Sequence, residues 1–592
     1  MPHGYHGCYL RIDVSSGETE RVPLRDEILR GCLGGAGLGT AILIDEEAPA
    51  AEPFAAEAPL AFVFSPLVGS PLTTSAKFAV VCKSPLTGQL NDSLASSGFA
   101  IAGKQCGCDA VVVVGHAAEP SVLLIDDGNV QLEPAGDLWG KKIPAAEAQL
   151  REQYGRDWRF AVIGPAGERL VRFATISHDG RHAGRGGSGA VLGAKNIKAV
   201  GVRGSHRTTW ADPAGLHHAA RLLSKRSFGP ATAKYRELGT AANLLAFNRL
   251  AVLPTRNFQQ GTFAEAVQIA PETLSLTRDK VRASCACCTI GCEHIYQSGR
   301  PGEEQHSVRL EYENLFALGP LCGVGDADMV LAASHACDEW GLDTISTGGT
   351  IAFAMESAER GLLDAAWLKF GDGEGLLRAI DLIGRREGLG DRLAEGSRRL
   401  ADEIGNGAID FAPQVKGMEI PGYDPRALQS MALGFAVGSR GADHNRSGAY
   451  EADFSHAVDR RRVRPEDVHH AIETEDRAAI MDSAILCKFL RGVFDDFFAE
   501  TAEMLQLVTG WDLTAAELRD TARRIVTTKK RFNIAAGWTP SEDTLPARLL
   551  TEHVPEDDQA VLTADHLRTL VRAYNVARGW SAEGYPGNAE GC

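Results

Sequence analysis

Short apolar runs bounded by Gly, Pro, Asp and Ser recur through the first part of the chain: Tyr9–Val14, Leu60–Phe64, Phe78–Cys82, Ala110–Val114, Val122–Ile125, Phe160–Ile163, Val171–Ile176 and Ile197–Val202. Runs of this length between turn residues predict strands. From about Asp212 the apolar positions take up a helical period, in Leu216–Arg226, Ala327–Trp340, Trp367–Arg386, Ala471–Phe498 and Ala515–Phe532, which predicts helices with one buried face. The pattern therefore predicts an α+β protein. A β-rich domain covers residues 1–210, and two mainly helical domains follow over 211–415 and 416–592, parted where Phe411–Pro425 concentrates proline and glycine. No tandem repeat or low-complexity segment interrupts the pattern.

Composition narrows the class. The chain has 592 residues, 44% of them hydrophobic and 23% charged, which is ordinary globular usage and neither disordered nor collagen-like. The net charge of −16 argues against nucleic acid, whose partners present a basic face. No apolar run approaches the roughly 18 residues of a membrane span, and Met1–Tyr9 lacks the basic and apolar regions of a leader, so a cytoplasmic protein is expected. Thirteen cysteines, an odd number scattered except for one knot, predict reduced thiols with a few metal ligands rather than a disulfide framework.

Glycine is over-represented, at 64 residues, and three glycine-rich stretches invite a nucleotide reading. Gly98-x-x-x-x-Gly103-Lys104 fails as a phosphate loop because Gln105 stands where a hydroxyl would hold magnesium. Gly34–Gly39 lacks the dinucleotide spacing. Gly184-Arg-Gly-Gly-Ser-Gly189 has that spacing, but the next run begins at Ile197, too soon for a crossover helix. What remains is a glycine loop beside Arg181, His182, Arg185 and Lys195, whose amides and cations suit an anion.

Cys285, Cys288 and Cys292 form C-x2-C-x3-C. Three thiolates so close repel one another unless a metal neutralises them. A fourth ligand must come from afar, with Cys322, Cys337 and Cys487 as candidates, and Cys287 reads as a buried spectator. Spacing leaves zinc and iron–sulfur both open, including a Cys–His zinc site that uses His294.

Several separate stretches, in order along essentially the whole chain, resemble the tungsten-dependent aldehyde ferredoxin oxidoreductases. They are Lys83-Ser-Pro-Leu-Thr-Gly88, Ile163-Gly-Pro-Ala-Gly-Glu168, Ala183-Gly-Arg-Gly-Gly187 with Gly193-Ala-Lys-Asn196, the cysteine knot, Glu311-Tyr-Glu313, Asp338-Glu-Trp-Gly-Leu-Asp-Thr344, Tyr423-Asp-Pro-Arg426, Asp482-Ser-Ala-Ile-Leu-Cys487 and Arg578-Gly-Trp580. The resemblance implies a β-rich domain acting as a saddle for two pyranopterin dithiolenes, closed by two helical domains. The dithiolenes hold tungsten or molybdenum, usually with no protein ligand, which accounts for the lack of a dedicated ligand motif. A 4Fe–4S cluster would be held by Cys285, Cys288, Cys292 and Cys487.

Two pterin motifs of the form D-x-x-G-L-(D/C) then fall on Asp338, Gly341, Leu342 and Asp343, followed by Thr344, and on Asp482, Leu486 and Cys487. Their carboxylates can accept hydrogen bonds from a pterin edge, and glycine admits close backbone. Ile485 stands where the second motif has glycine, which puts the local backbone conformation in question. By the same resemblance the Ala183 carbonyl would help hold a magnesium ion joining the pterin phosphates. Arg181, His182, Gly184 and Arg185 would lie nearby, and Arg446 is a further cofactor contact. Lys77 replaces an arginine between pterin and cluster, keeping the charge but losing the planar fork.

Oxidising an aldehyde to an acid adds a water-derived oxygen and removes two electrons and protons, so proton acceptors must stand beside a redox centre. The matching positions are Glu313, taking a proton from water, and His444, bonding the substrate oxygen; Tyr312 and Thr344 would line the pocket. Electrons would leave through the cluster to ferredoxin or to a small iron–sulfur subunit. Where some homodimeric members carry E-x-x-H and bind an iron across the dimer, this chain has Ala332-Ala-Ser-His335, so any homo-oligomer is expected to lack that iron. The competing expectations are a same-fold oxidoreductase acting on 2-hydroxy acids or aromatic acyl thioesters, and a non-catalytic electron-transfer subunit.

Overall fold

The computed structural model describes residues 2–299 and 305–587. Two six-stranded sheets build the β-rich part. In the first, Thr19–Pro23, Cys8–Asp13, Ala110–Val114, Leu60–Val63, Lys77–Lys83 and Leu90–Ser96 lie side by side in that order. In the second the order is Arg181–Ala183, Ile176–His178, Arg159–Ile163, Ile197–Arg203, Ser121–Asp126 and Asn129–Pro134. Each sheet is antiparallel but for one parallel pair, Cys8–Asp13 with Ala110–Val114 and Ile197–Arg203 with Ser121–Asp126. Leu60–Val63 and Ala110–Val114 are buried at every residue, which is why they read as unbroken apolar runs.

The remainder is mainly helical, with corrections to the sequence reading. Val171–Ile176 is not a strand: Pro165–Glu168 forms a helical turn and the strand is Ile176–His178. Its backbone bonds elsewhere, since Asp343 N–H donates to the Phe173 carbonyl (3.1 Å) and Thr175 N–H to the Gly341 carbonyl (2.8 Å). Ala327–Trp340 is a helix as expected. The helix in Trp367–Arg386 starts only at Gly373, capped by Asp372. The Ala471–Phe498 stretch is two helices, Val468–Ala484 and Phe497–Thr509. A seven-residue helix, Ser188–Ala194, follows the glycine loop, although it joins no neighbouring parallel strands. A third sheet of Lys280–Ala283, Glu293–Ser298 and His306–Leu310 lies in a region read as helical. The cysteine knot connects its first two strands. No helix among the described residues is long and apolar enough to cross a membrane.

Two helix ends reach the two sheets. Ala327–Trp340 stops at Gly341 (φ 78°) and Val468–Ala484 at Ile485 (φ 65°). After each left-handed residue the chain closes in the same way: Leu342 N–H donates to the Cys337 carbonyl at 2.9 Å and Leu486 N–H to the Met481 carbonyl at 2.8 Å, the pattern of a glycine-type cap. Ile485 thus keeps the conformation that glycine would have. The left-handed region costs a side-chain-bearing residue roughly 1–2 kcal/mol, offset here by complete burial in the apolar cluster of the first sheet. The first loop sits so close to Gly164 that a Cβ there would lie 2.1 Å from the Trp340 carbonyl oxygen. The second sits on Gly35, where a Cβ would lie 2.2 Å from the Asp482 carbonyl oxygen. Ser65 Oγ also donates to the Ala484 carbonyl (2.7 Å). The Gly34–Gly39 run is therefore a packing surface.

Candidate active site

A cavity of about 450 Å³ opens between the sheets and the helical part. The first sheet contributes Lys77 at a strand start and Ser93 and Ser96 from the neighbouring strand; the second contributes Arg181, His182, Gly184 and Arg185. The helical part adds Glu313, Asp338, Leu342, Asp343, Thr344, His444 and Arg446, together with Tyr312. Ala183, Gly341, Asp482 and Leu486 do not line the cavity. Ala183 and Leu486 are buried, Gly341 caps its helix, and Asp482 stands behind Arg446.

Three guanidiniums meet on one wall. Arg446 donates to Asp482 Oδ2 (2.6 Å), Asp92 Oδ1 (3.0 Å) and the Asp92 carbonyl (2.7 Å). Arg440 donates to that same carbonyl at 2.9 Å. Arg185 donates to the carbonyls of Ala442 and Glu419 and lies 3.6 Å from Asp343 Oδ2. Burial would raise the Asp92 and Asp443 carboxyls, yet the cations prevail: Arg446, Lys529 and Arg440 hold Asp92 down at about 2, and Arg440 and Arg446 hold Asp443 below the ordinary carboxylate range. Opposite, His182 Nε2 lies 3.2 Å from Asp338 Oδ1, with Nδ1 2.9 Å from Thr175 Oγ1. Asp343 caps Thr344–Glu359 by accepting from Ser346 N–H at 3.0 Å.

Glu313 and His444 face each other across the cavity, Oε1 to Nε2 at 3.6 Å. Glu313 sits in the first turn of Tyr312–Leu318, a helix started by a capping box between Glu311 and Asn314. His444 opens the turn His444–Ser447, capped by Asp443. Glu313 Oε2 accepts from Gly422 N–H (3.1 Å), while Glu313 Oε1 and His444 Nδ1 are buried without a hydrogen-bond partner. Burial pushes the Glu313 carboxyl up to about 8, opposed by the Gly422 amide and Arg185. Burial pushes His444 down to about 3, with Asp443 opposing. Both residues line the cavity, and an unpartnered buried polar atom on each is costly to the fold.

The four thiols named above come together. Cys285, Cys288, Cys292 and Cys487 line a second, adjoining cavity with Thr74, Lys77 and Ser96. Arg181 Nη2 lies 3.1 Å from Cys285 Sγ, and Ile290 N–H donates to Cys288 Sγ at 3.4 Å. Burial pushes the Cys288 thiol up to about 11, and the Cys487 thiol adds to it. Burial works against the charge of Lys77, but Cys487, Cys285 and Cys288 outweigh it and hold its ammonium above the ordinary range. Cys322 and Cys337 are buried and line neither cavity, and His294 Nε2 turns to the Tyr235 carbonyl (3.3 Å). Cys287 is exposed rather than buried; in left-handed backbone (φ 53°) it turns its carbonyl inward to accept from Thr74 N–H at 2.6 Å.

The family model for the N-terminal domain of aldehyde ferredoxin oxidoreductase matches residues 9–204, and the one for domains 2 and 3 matches residues 220–590. The chain belongs to the aldehyde ferredoxin oxidoreductase family. It is 36% identical to the tungsten-containing aldehyde ferredoxin oxidoreductase of Pyrococcus furiosus, over 98% of this chain and 97% of that one. It is 27% identical to the WOR-like subunit of an aliphatic sulfonate oxidoreductase from the same organism, over 99% and 96%. A chain of the benzoyl coenzyme A reductase complex BamBC shares the fold, with a TM-score of 0.82 at 24% identity, over 99% of this chain and 96% of that chain.

Within this family fold, sequence reasoning passed over Asp92, Ser93, Arg440, Asp443 and Lys529. The available signal was charge density: Arg440, Asp443, His444 and Arg446 crowd into seven residues after the buried helix Gln429–Val437. Charges so close in a buried stretch must be paired. The aromatic wall of Tyr423, Tyr450 and Phe489 was legible only in three dimensions.

Proposed function

We propose that this chain oxidises small aldehydes to carboxylic acids, using tungsten or molybdenum on two pyranopterin dithiolenes in the larger cavity and a 4Fe–4S cluster on Cys285, Cys288, Cys292 and Cys487. The carrying observation is the Glu313–His444 pair, 3.6 Å apart and each with an unpartnered buried atom. The donor sets fit the groups. Among the described residues no three His, Cys, Asp or Glu side chains converge on one point as a single metal ion requires, whereas four thiols ring a cavity beside the cations Lys77 and Arg181, as a larger anionic cluster suits. Arg185, Arg440 and Arg446 supply guanidiniums for phosphate, and by resemblance alone the Ala183 carbonyl, buried outside the cavity lining, would help hold a magnesium ion.

When bound, the metal–pterin group supplies a two-electron acceptor and the cluster a one-electron relay. The protein's part is proton handling and orientation. Glu313 Oε1 accepts a proton from the water that adds to the aldehyde carbon, and His444 hydrogen-bonds the carbonyl oxygen. One water oxygen is gained while two electrons and the protons leave. The electrons go to ferredoxin or an iron–sulfur subunit. With Ala332 in place of a glutamate, any homo-oligomer forms without a bridging iron. Aldehyde-dependent viologen reduction by anaerobically purified protein tests the reading; a protein with both metals that reduces viologen with no aldehyde tried would overturn it.

A further inference from the structure

We propose that Tyr450 is a specificity-determining residue whose hydroxyl donates to an ether or hydroxyl oxygen on the carbons next to the aldehyde group, so that alkoxy- and hydroxyaldehydes are preferred over plain alkyl aldehydes of the same size. The inference rests on reading the larger cavity as an aldehyde site. Tyr312, Tyr423 and Tyr450 all line that cavity, but they are held differently. Tyr312 donates its hydroxyl hydrogen to the Gly422 carbonyl at 2.5 Å. Tyr423 packs its ring against both His444 and Tyr450, with centroids 5.2 and 5.0 Å away. Tyr450 accepts from the Arg491 guanidinium. A guanidinium has donors only, so the direction of that bond is fixed: the Tyr450 oxygen is the acceptor, and its own hydrogen meets no acceptor among the described residues.

The phenol oxygen is held from behind. Arg491 also donates to Glu451 Oε1 at 2.8 Å, and Arg477 donates to Glu451 Oε2 at 2.5 Å. Placement then sets what the free hydrogen can reach. The Tyr450 and His444 rings have centroids 6.3 Å apart, and His444 is the group assigned to the carbonyl oxygen. Tyr450 therefore stands beside the carbons that follow the carbonyl and not at the carbonyl itself. Phe489, stacked on Tyr235 at 4.2 Å, gives the apolar part of the same wall. Arg491 does not line the cavity, so a substrate meets the neutral hydroxyl and not the guanidinium, which suits a neutral oxygen and not a carboxylate or phosphate. Once a substrate has displaced water from this wall, an alkyl chain leaves the Tyr450 hydrogen unpaired, whereas an ether or hydroxyl oxygen accepts it. A site built to make such a bond discriminates against the analogue that lacks the partner.

The test sets methoxyacetaldehyde against butanal, chains of equal length in which an ether oxygen replaces a methylene, using wild-type and Tyr450→Phe holoenzymes with benzyl viologen as acceptor. Dividing the wild-type preference in kcat/KM by that of Tyr450→Phe removes the intrinsic difference between the two aldehydes. The expected quotient is about fivefold or more in favour of the ether, carried in KM and not in kcat. Calorimetric titration of the same two holoenzymes with methoxyacetamide and butanamide, which present the same chains without an aldehyde hydrogen, reads the contact without turnover. The same preference, lost in Tyr450→Phe, is expected there. With both aldehydes oxidised, an unchanged preference in Tyr450→Phe, or an equal loss for both members of each pair, would overturn the proposal and leave the aldehyde reading standing. A protein with both metals that oxidises no aldehyde, yet tells the two amides apart through Tyr450, would support the contact and overturn the aldehyde reading alone.

Discussion

Gly422 holds Glu313 directly: its N–H donates to Glu313 Oε2 at 3.1 Å while its carbonyl accepts the Tyr312 hydroxyl at 2.5 Å. The next residue, Tyr423, stacks its ring on His444 with centroids 5.2 Å apart. Two consecutive residues of one loop therefore set the positions of both groups proposed to handle protons.

Below pH about 8 the buried Glu313 keeps its proton and cannot accept another, while His444, pushed down to about 3, stays neutral. The kcat/KM for aldehyde should rise with pH and level off above about 8. Glu313→Gln should retain both metals, lose about 100-fold or more in rate and lose the rising limb. The raised carboxyl also stabilises the fold below its ordinary value of 4.5, a contribution lost as pH rises through about 8. The glutamine variant should therefore melt above wild type at alkaline pH and alongside it in acid. Full turnover in Glu313→Gln would remove the proton-transfer role.

Gly422→Ala should damage the same pair from behind. The added Cβ would lie 2.7 Å from the Tyr312 ring and hydroxyl, an overlap of the kind that costs about 1–3 kcal/mol. Weakening the Gly422 amide contact removes a bond that favours the Glu313 carboxylate. The rising limb of the pH profile should shift to higher pH and the rate should drop with metal content unchanged; an unmoved limb would show that the loop does not position Glu313.

Two neighbouring thiols of the knot are placed differently. Cys288 lines the inner cavity, whereas Cys287 is exposed and lines neither cavity. Cys288→Ala should lose the iron and its visible absorbance, and Cys287→Ala should keep both. Loss of iron from Cys287→Ala alone would reverse the assignment.

Ile485→Gly sets strain against burial. It relieves roughly 1–2 kcal/mol of left-handed strain but empties a fully buried site beside Gly35, where large-to-small changes cost about 2–5 kcal/mol. Thermal stability should fall, as followed by calorimetry of the holoenzyme, and a rise would mean that strain dominates.

Unbroken apolar runs such as Leu60–Val63 were legible in the sequence because both faces of those strands are covered. Leu90–Ser96 was not, because Asn91, Asp92 and Ser93 occupy positions where apolar residues would mark a strand. Asp92 is fully buried, yet its partners are Arg446, Arg440 and Lys529, a pairing that no local pattern announces. The loop at Asp482 could be located by resemblance, but whether Ile485 would keep a glycine conformation depended on its burial against Gly35. The knot's spacing was plain, whereas its distant partner Cys487 could be separated from Cys322 and Cys337 only by resemblance and then by placement.

The most direct test is elemental analysis of the anaerobically purified chain for tungsten, molybdenum, iron and zinc. The account predicts about one tungsten or molybdenum and about four irons per chain, with no zinc. Iron without either heavy metal, from cells supplied with both, or zinc in place of iron, would contradict it.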